Sequence, residues 1–253
     1  MFNTFNDPAK FGLFYAAALM FRRGDVKPAQ ESVEILLHDQ DMQLNMHDKL
    51  TYIPAAYGVS EKHRLGIKMP VEEGTKGDHV IEKETVLVPE SDGEVRSDTG
   101  EMYRSWASGY GWIDTDRTKA VYGLISKQGR MELDGVAVTC ENEFATIVLS
   151  SLSDDKISES KNILVTAVGR AENTGTEFNE EGNVMLKFGT APILTERIDA
   201  RIELKTKHSN LKVWSVNAEG FLIGHVPFKY EDGVLTLELG KTWPSIYYLI
   251  QAE

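Results

Sequence analysis

The amino-acid sequence predicts a mainly β protein, an antiparallel β-sandwich of the jelly-roll-like kind with a short helical segment at its N-terminus. From about Arg64 onward, short runs of Val, Ile, Thr and aromatic residues are separated by Gly, Asp, Asn and Pro. Turn signals recur roughly every 8–15 residues, a spacing typical of sandwiches and barrels. The preceding residues are richer in helix formers. We therefore expect a helical segment over residues 1–45 and a β-sandwich domain over residues 46–253.

The first predicted helix has signals at both ends. Asp7 can cap it, and Pro8 suits its first turn. Ala9–Phe21 then carries Ala, Leu, Met and aromatic residues on almost every side, which is typical of a helix buried between other elements. Gly24 follows two arginines and should end the helix. We expect a second helix over Pro28–Leu37.

The strand predictions rest on β-branched and aromatic runs between turn residues. Asp232-Gly233 predicts a tight hairpin, since both residues tolerate positive φ angles. After this turn, leucines alternate with polar residues, which indicates a strand with one buried and one solvent-exposed face. Residues 71–79 form the best candidate for a mobile loop. The predicted strands are Thr85–Pro89, Gly111–Asp114, Ala120–Ile125, Val136–Cys140, Ala145–Ser150, Ile163–Val168, Val184–Phe188, Ala200–Leu204, Leu211–Val216, Val226–Tyr230, Val234–Leu239 and Ser245–Ile250.

The charge balance limits the partners. The chain has 27 Lys and Arg against 39 Asp and Glu, a net charge of -12, so nucleic acids and anionic membrane surfaces would be repelled. Its longest apolar stretch, residues 11–21, is shorter than the ~20 residues that span a bilayer. No basic region precedes that stretch, so we expect a soluble chain without a signal peptide. Cys140 cannot form an intrachain disulfide and is expected to be buried.

Aromatic residues are concentrated between Ser97 and Arg117, among glycines, serines and acids. Flat aromatic faces stack on the C–H face of a sugar ring, and nearby polar groups can bind its hydroxyls. The alternative is that some of these rings, Trp112 above all, pack between strands. The predicted saccharide platform comprises Trp106, Tyr110 and Trp112, with Arg104, Asp114 and Arg117 as polar partners.

Catalytic residues are not identifiable from the sequence. Zinc-binding His spacing, a Gly-x-Ser-x-Gly elbow, a Walker loop and a dinucleotide-binding turn are all absent. The carboxylates of the aromatic segment could bind Ca²⁺, although their spacing matches no EF-hand, and we expect no cofactor. A glycosidase would need two facing carboxylates. Candidates for that pair are Asp98, Glu101, Asp114, Asp116 and Glu143.

Two further predictions concern aromatic side chains. The Gly- and Asn-rich loop over residues 171–183 places Asn173, Phe178 and Asn179 together as a second candidate binding surface, although a solvated turn is the simpler interpretation. Trp214 and Trp243 stand in strand-like or Pro-bounded contexts, so both are expected in the core.

Three stretches resemble a known family. FNDPAKFGLFYAAALMFRRGDVKPA is similar to the end of the TIM barrel in large bacterial glycoside hydrolases, where a helix leads into a C-terminal β-sandwich. SDTGEMYRSWASGYGWIDTDRTKAVYGLI and ILVTAVGRAENTGTEFN resemble that appended region. The resemblance implies an accessory region of a longer, extracellular polysaccharide-degrading enzyme. The resemblance covers only the end of that barrel, and the chain does not contain the roughly 250 residues of eight β/α units in addition to its β region, so no catalytic residue is carried over.

The function expected from these observations is non-catalytic binding of a plant or microbial β-glycan by aromatic stacking. Three alternatives remain open. The chain could be a small glycan-hydrolysing enzyme, a purely structural sandwich, or an interaction module that forms a homodimer through the apolar face of Ala9–Phe21.

Overall fold

A computed structural model describes residues 7–38, 60–71 and 93–253. The chain divides into two compact units. The sandwich unit comprises Met1–Asp25 and Asp114–Glu253, and the insert unit comprises Val26–Ile113. The predicted domain boundary at residue 45, the predicted strand Thr85–Pro89 and residues 72–79 of the predicted loop lie outside the described residues.

The described residues are mainly β, with one α-helix, as the sequence predicts. In chain order the elements are α1 (Pro8–Arg23), β1 (Ser32–His38), β2 (Arg64–Val71), β3 (Glu94–Arg96), β4 (Met102–Ser105), β5 (Tyr110–Asp114), β6 (Thr118–Gly123), a 3₁₀ helix (Ile125–Gln128), β7 (Arg130–Leu133), β8 (Val136–Cys140), β9 (Ala145–Ser151), β10 (Asn162–Val168), β11 (Ala171–Thr174), β12 (Glu177–Phe178), β13 (Met185–Lys187), β14 (Thr190–Thr195), β15 (Ala200–Lys205), β16 (Leu211–Val216), β17 (Leu222–His225), β18 (Phe228–Glu231), β19 (Val234–Glu238) and β20 (Tyr247–Ala252).

Two larger antiparallel sheets build the sandwich unit, which also contains the two-stranded sheets β11-β14 and β12-β13. One contains strands in the order β17-β16-β20-β10-β9-β6, and the other has the order β18-β19-β15-β8-β7. In β19, Leu235 and Leu237 are buried while Thr236 and Glu238 between them are partly exposed. This alternation is the predicted one, and it arises because successive side chains of a strand point to opposite faces. The sandwich prediction is therefore confirmed.

The hairpin between β18 and β19 also forms as predicted. Asp232 and Gly233 have φ angles of 50° and 79°, and the flanking Glu231 and Val234 pair across the turn. Positive φ at both central residues matches the right-handed twist of the two strands, which is why Asp-Gly is favoured at this position.

Helix α1 has the predicted caps. The Asp7 carboxylate accepts a hydrogen bond from the Lys10 backbone N–H at 3.2 Å, and Pro8 occupies the first turn. Gly24 adopts the left-handed conformation, and the Asp25 N–H donates to the Met20 carbonyl at 3.0 Å. These bonds satisfy backbone groups that a helix leaves unpaired at its ends.

Helix α1 packs on β9 and β10 through one face. Gly12 and Ala16 are buried there, and the Tyr247 hydroxyl donates to the Gly12 carbonyl at 3.0 Å. A Cβ at position 12 would lie 3.0 Å from Val168 Cγ1, so glycine allows this close approach. The opposite face is exposed rather than buried as predicted, and Phe21 is 87% exposed.

The insert unit contains a strand where the sequence predicted a helix. The prediction for Pro28–Leu37 is wrong, because Ser32–His38 forms β1 and pairs in parallel with β2. The run Val33 to Leu37 is compatible with both structures in isolation, and pairing with a distant strand decides between them. The same unit contains the antiparallel strands β3, β4 and β5, in the order β5-β4-β3.

The prediction that Trp243 lies in the core is wrong. Its side chain is 52% exposed, and its backbone has a φ of 50°. The indole lies against the backbone of Gly224, where an added Cβ would be 2.7 Å from Nε1. Trp214 is only partly buried and pairs with His225, their ring centroids 3.5 Å apart. Both tryptophans therefore lie at the β16–β17 end of the larger sheet, where burial is incomplete.

Within the described part of the chain, no helix is long and apolar enough to cross a membrane.

Candidate functional site

The aromatic segment builds an open recess in the insert unit with a volume of about 510 Å³. Tyr103 on β4 stands opposite Trp112 on β5, and Tyr110 stands opposite Ser105 on the same pair of strands. Because side chains two apart on a strand share a face, these three rings lie on one side of the sheet. The recess is lined by Lys62, Glu94, Val95, Arg96, Tyr103, Tyr110 and Trp112.

The rings of the recess are arranged around Tyr103. Its ring is nearly parallel to that of Trp112, with centroids 5.5 Å apart and an interplanar angle of 17°. The Tyr110 ring also contacts the Tyr103 ring, with centroids 5.6 Å apart and an interplanar angle of 51°. All three side chains are partly exposed. Mutual packing therefore holds the rings in place and leaves part of each accessible to a ligand, as a preformed site requires.

Charged groups from β3 complete the recess. The Tyr103 hydroxyl donates a hydrogen bond to the Glu94 carboxylate. Burial and this hydrogen bond raise the pKa of Tyr103 well above its usual value. The phenol thus stays protonated and holds Glu94 beside the rings. The Arg96 guanidinium lies over the Trp112 ring, 5.0 Å from its centroid, in a cation–π arrangement.

Of the six residues predicted for the platform, Tyr110 and Trp112 line the recess. Trp106 and Arg104 belong to the same unit but do not line it. The Arg104 guanidinium lies 5.1 Å from the Trp106 ring centroid and forms a salt bridge of 2.6 Å with Glu61. Position 104 alternates with Tyr103 along β4 and hence points to the opposite face of the strand.

Asp114 and Arg117, the other two predicted residues, belong to the sandwich unit and have structural partners there. The Asp114 carboxylate pairs with Lys119 at 2.5 Å and accepts from the Asp134 N–H at 2.9 Å. Lys119 is almost fully buried, so this carboxylate neutralises it. Arg117 Nε donates to the Asp154 carbonyl at 2.9 Å.

Four residues line the recess that were not predicted for the platform: Tyr103, Glu94, Arg96 and Lys62. Tyr103 could have been predicted from the strand register, because a hairpin linking β4 and β5 places residues 103 and 112 opposite each other. Arg96 follows from the same logic, since β3 pairs Arg96 with Tyr103. Lys62 precedes β2 in the chain, and its position could not be inferred from local spacing.

The carboxylates proposed for a catalytic pair each have their own partner. Asp116 forms a 3.2 Å salt bridge with Lys156, and Glu143 forms one of 3.3 Å with Arg170. Glu101 accepts a hydrogen bond of 2.8 Å from the Lys27 N–H.

The acids proposed as calcium ligands are Asp98, Glu101, Asp114 and Asp116. Three of them pair with lysines, which compete with a cation. Across residues 7–38, 60–71 and 93–253, no group of three His, Cys, Asp or Glu side chains is arranged to hold a metal ion.

Asp98 anchors the insert unit. Its Oδ2 accepts from the Glu31 N–H at 3.0 Å and lies 3.1 Å from His63 Nδ1. The backbone hydrogen bond from Glu31 is the largest cause that lowers the pKa of Asp98 below its usual value, and His63 adds to it. These bonds join the residue before β1, the residue before β2 and the turn after β3. Asp98 therefore has a structural role here.

The second candidate surface has the structure of a solvated turn. Asn179 Oδ1 accepts hydrogen bonds of 3.0 Å from the backbone N–H groups of Asn183 and Val184. Asn173 Nδ2 donates to the Phe188 carbonyl at 3.0 Å. Both asparagines are thus used to shape the backbone, as Asn commonly is in turns. Phe178 is 39% exposed on β12.

In comparisons with known proteins, no family model, no curated protein and no solved structure matches the chain significantly.

Proposed function

We propose that the chain binds a saccharide in the recess of the insert unit, without catalysing a reaction, as an accessory region of an extracellular polysaccharide-degrading enzyme. The observation that carries the proposal is the grouping of Tyr103, Tyr110 and Trp112 with Glu94 and Arg96 in one open recess. Aromatic walls beside a few placed polar groups are what a sugar needs from a binding site.

The chemistry of the recess suits a sugar in two respects. The partly exposed edges and faces of Tyr110 and Trp112 can cover the apolar C–H face of a pyranose ring. Glu94 keeps acceptor capacity beyond the bond from Tyr103, because a carboxylate has about four lone-pair sites, so it can accept from sugar hydroxyls. The resemblance to glycoside hydrolase accessory regions supports the same ligand class.

The direct test is binding of the protein to a panel of glycans: cellulose, xylan, mixed-linkage glucan, mannan and galactan. Trp112→Ala should weaken binding at least about tenfold, since it removes one of the three rings that line the recess and the ring that the Arg96 guanidinium contacts. Two matched controls are Trp106→Ala, in the same unit but not lining the recess, and Trp243→Ala, an exposed tryptophan of the sandwich unit. Circular dichroism verifies folding of each variant.

The panel can contradict the proposal in two ways. If the protein binds no glycan, the structural alternative is favoured. If Trp106→Ala or Trp243→Ala abolishes binding while Trp112→Ala does not, the site lies elsewhere. A reducing-sugar assay in the same experiment addresses the enzyme alternative. Sugar release that is lost in one of the variants Asp98→Asn, Glu101→Gln, Asp114→Asn, Asp116→Asn or Glu143→Gln would replace binding by hydrolysis as the function.

A second candidate function is self-association through α1. Phe11, Phe14 and Phe21 recur at helical spacing on the face directed away from the sheet, and all three are exposed. In a symmetric dimer, this exposed face of α1 in one copy of the chain could pack against the same face in the other copy. A few aromatic side chains fall short of the roughly 1,200–2,000 Å² that stable interfaces bury, so the dimer should be weak. Light scattering across a concentration series, with Phe21→Ser as the disrupting variant, tests it; a monomer at all concentrations contradicts it.

A further inference from the structure

The arginine in the recess differs from the arginines around it. Arg104, on the neighbouring strand, forms a salt bridge with Glu61, and in the sandwich unit Arg130 and Arg197 pair with carboxylates. Arg96 instead lies over Trp112, and no salt bridge of Arg96 occurs among the described residues. A positive charge that has no carboxylate partner in the described part of the chain therefore lines the recess, in a chain whose net charge is -12.

The position of Arg96 leaves its hydrogen-bonding groups available. A guanidinium is planar, and its five N–H donors lie in that plane. Contact of the group with an aromatic ring therefore does not use up its donors. Trp112 restricts the freedom of the side chain by this contact, which lowers the entropy lost when a ligand binds. A guanidinium whose donors have no hydrogen-bond partner among the described residues matches the geometry of a carboxylate, which it can bind with two parallel hydrogen bonds.

Glu94 lies two residues from Arg96 on the same face of β3 and disfavours a carboxylate beside itself. Glu94 is held beside Tyr103 by the hydrogen bond from the phenol, and it would repel a second negative charge. It can accept from hydroxyl groups instead. The recess thus combines a guanidinium that can bind a carboxylate, a carboxylate that can accept from hydroxyl groups, and aromatic rings that can cover a sugar ring.

We propose that the recess recognises an acidic sugar, a hexuronic acid residue of a polysaccharide, with its carboxylate on Arg96 and its ring against Tyr110 and Trp112. This proposal rests on saccharide binding at the same recess, proposed above. A hexuronic acid combines the apolar ring face of a hexose with one carboxylate at C6. A neutral hexose offers the rings the same face but leaves the Arg96 guanidinium without its best partner. Selectivity should therefore come from one charge-assisted contact.

The test uses pairs of short oligosaccharides that differ only in the oxidation state of C6. Suitable pairs are tetramers of β-1,4-linked glucuronic acid and cellotetraose, of mannuronic acid and mannotetraose, and of galacturonic acid and its carboxyl-reduced counterpart. Calorimetric titration of the full chain should show at least one acidic tetramer bound about tenfold or more tighter than its neutral partner, because only the acidic member can form charge-assisted hydrogen bonds with the guanidinium. Arg96→Gln should reduce this ratio to about one, whereas Arg96→Lys should retain part of it.

A control variant and the full set of outcomes separate the two proposals. Arg22→Gln changes an exposed arginine of α1 and should leave the acid-to-neutral ratio as it is. If both members of a pair bind equally and Arg96→Gln leaves their ratio unchanged, the acidic-sugar proposal fails and saccharide binding stands. If acidic tetramers bind more tightly but Arg96→Gln preserves the ratio, Arg96 is not the recognising group and the proposal also fails. If no tetramer of any pair binds, both proposals fail.

Discussion

Arg23 and Asp25 form a bidentate ion pair that fastens the end of helix α1 to the sandwich. Arg23 Nη2 lies 2.5 Å from Asp25 Oδ2, and Arg23 Nε donates to Asp25 Oδ1 at 3.1 Å. The Thr118 hydroxyl of β6 donates to the same carboxylate at 2.7 Å, and Arg23 Nη1 donates to the Ser153 carbonyl at 3.3 Å. The Asp25 side chain is completely buried. The two residues therefore connect the helix, β6 and the turn after β9.

We expect Asp25→Asn to lower the free energy of unfolding by about 3–5 kcal/mol, because it leaves the Arg23 guanidinium buried without a counter-charge. Urea denaturation measures the change. Lys156→Ala is the control, since it removes an ion pair whose members, Lys156 and Asp116, are both exposed and which should contribute about 0–1 kcal/mol. If both variants lower the free energy of unfolding by the same amount, the buried Arg23–Asp25 pair contributes no more to stability than an exposed ion pair, and the prediction is wrong.

Ile202 should be among the residues whose truncation is most costly. It is fully buried on β15, in the central strand of the smaller sheet. Ile202→Ala should lower the free energy of unfolding by about 2–5 kcal/mol through lost burial and the cavity left behind. Lys229→Ala, at an exposed position of the edge strand β18, should change it by about 0.5 kcal/mol or less. A loss below 1 kcal/mol for Ile202→Ala would place the core elsewhere.

Trp243 should dominate the quenching of tryptophan fluorescence by iodide, since its side chain is exposed. Trp243→Phe should remove more of the quenchable emission than any other single Trp→Phe change, whereas Trp214→Phe should remove little, because the Trp214 indole nitrogen is buried. Gly224→Ala should increase quenching, as a Cβ at this position would displace the Trp243 ring. Unchanged quenching in Trp243→Phe would contradict the exposed position.

The insert unit should lose stability in acid because of Asp98. The folded-state pKa of this carboxyl is lowered, so its charged form contributes stability above the unfolded-state pKa of 3.8, and this contribution is lost as pH falls through the folded-state value. The Glu31 amide, which donates to Asp98, should exchange its hydrogen slowly above pH ~4 and lose this protection at lower pH, beyond the intrinsic pH effect. Asp98→Asn should remove the transition. A transition that persists in this variant would assign it to another group.

Cys140 should report on unfolding of the sandwich unit. Its thiol is buried on β8, and this burial raises its pKa. Because the thiolate is the reactive form, a thiol reagent at neutral pH should react slowly with the native protein and quickly in denaturant. The control is free cysteine, whose reactivity should not depend on folding. Rapid reaction in the native state would mean that β8 opens readily.

Local chemistry explains the parts of the structure that the sequence predicts well. Asp7 and Gly24 mark the ends of α1 because capping involves only neighbouring backbone groups. Asp232-Gly233 and the leucines that follow define a hairpin with one buried face, since turn type and strand alternation depend on adjacent residues. The concentration of aromatic residues before Arg117 was likewise visible, and two of its members, Tyr110 and Trp112, line the recess.

Features that depend on distant pairing were decided only by the tertiary structure. Ser32–His38 is a strand because Arg64–Val71 lies beside it, and its own residues are compatible with a helix. Tyr103 and Arg96 join Trp112 because three strands align in one register, while Trp106 points away with Arg104. Sequence by itself determined the fold class and where the aromatic side chains are concentrated. The tertiary structure decided which of them meet. The hydrogen-bonded register between strands sets which side chains are neighbours, and this register cannot be inferred from the periodicity of one strand.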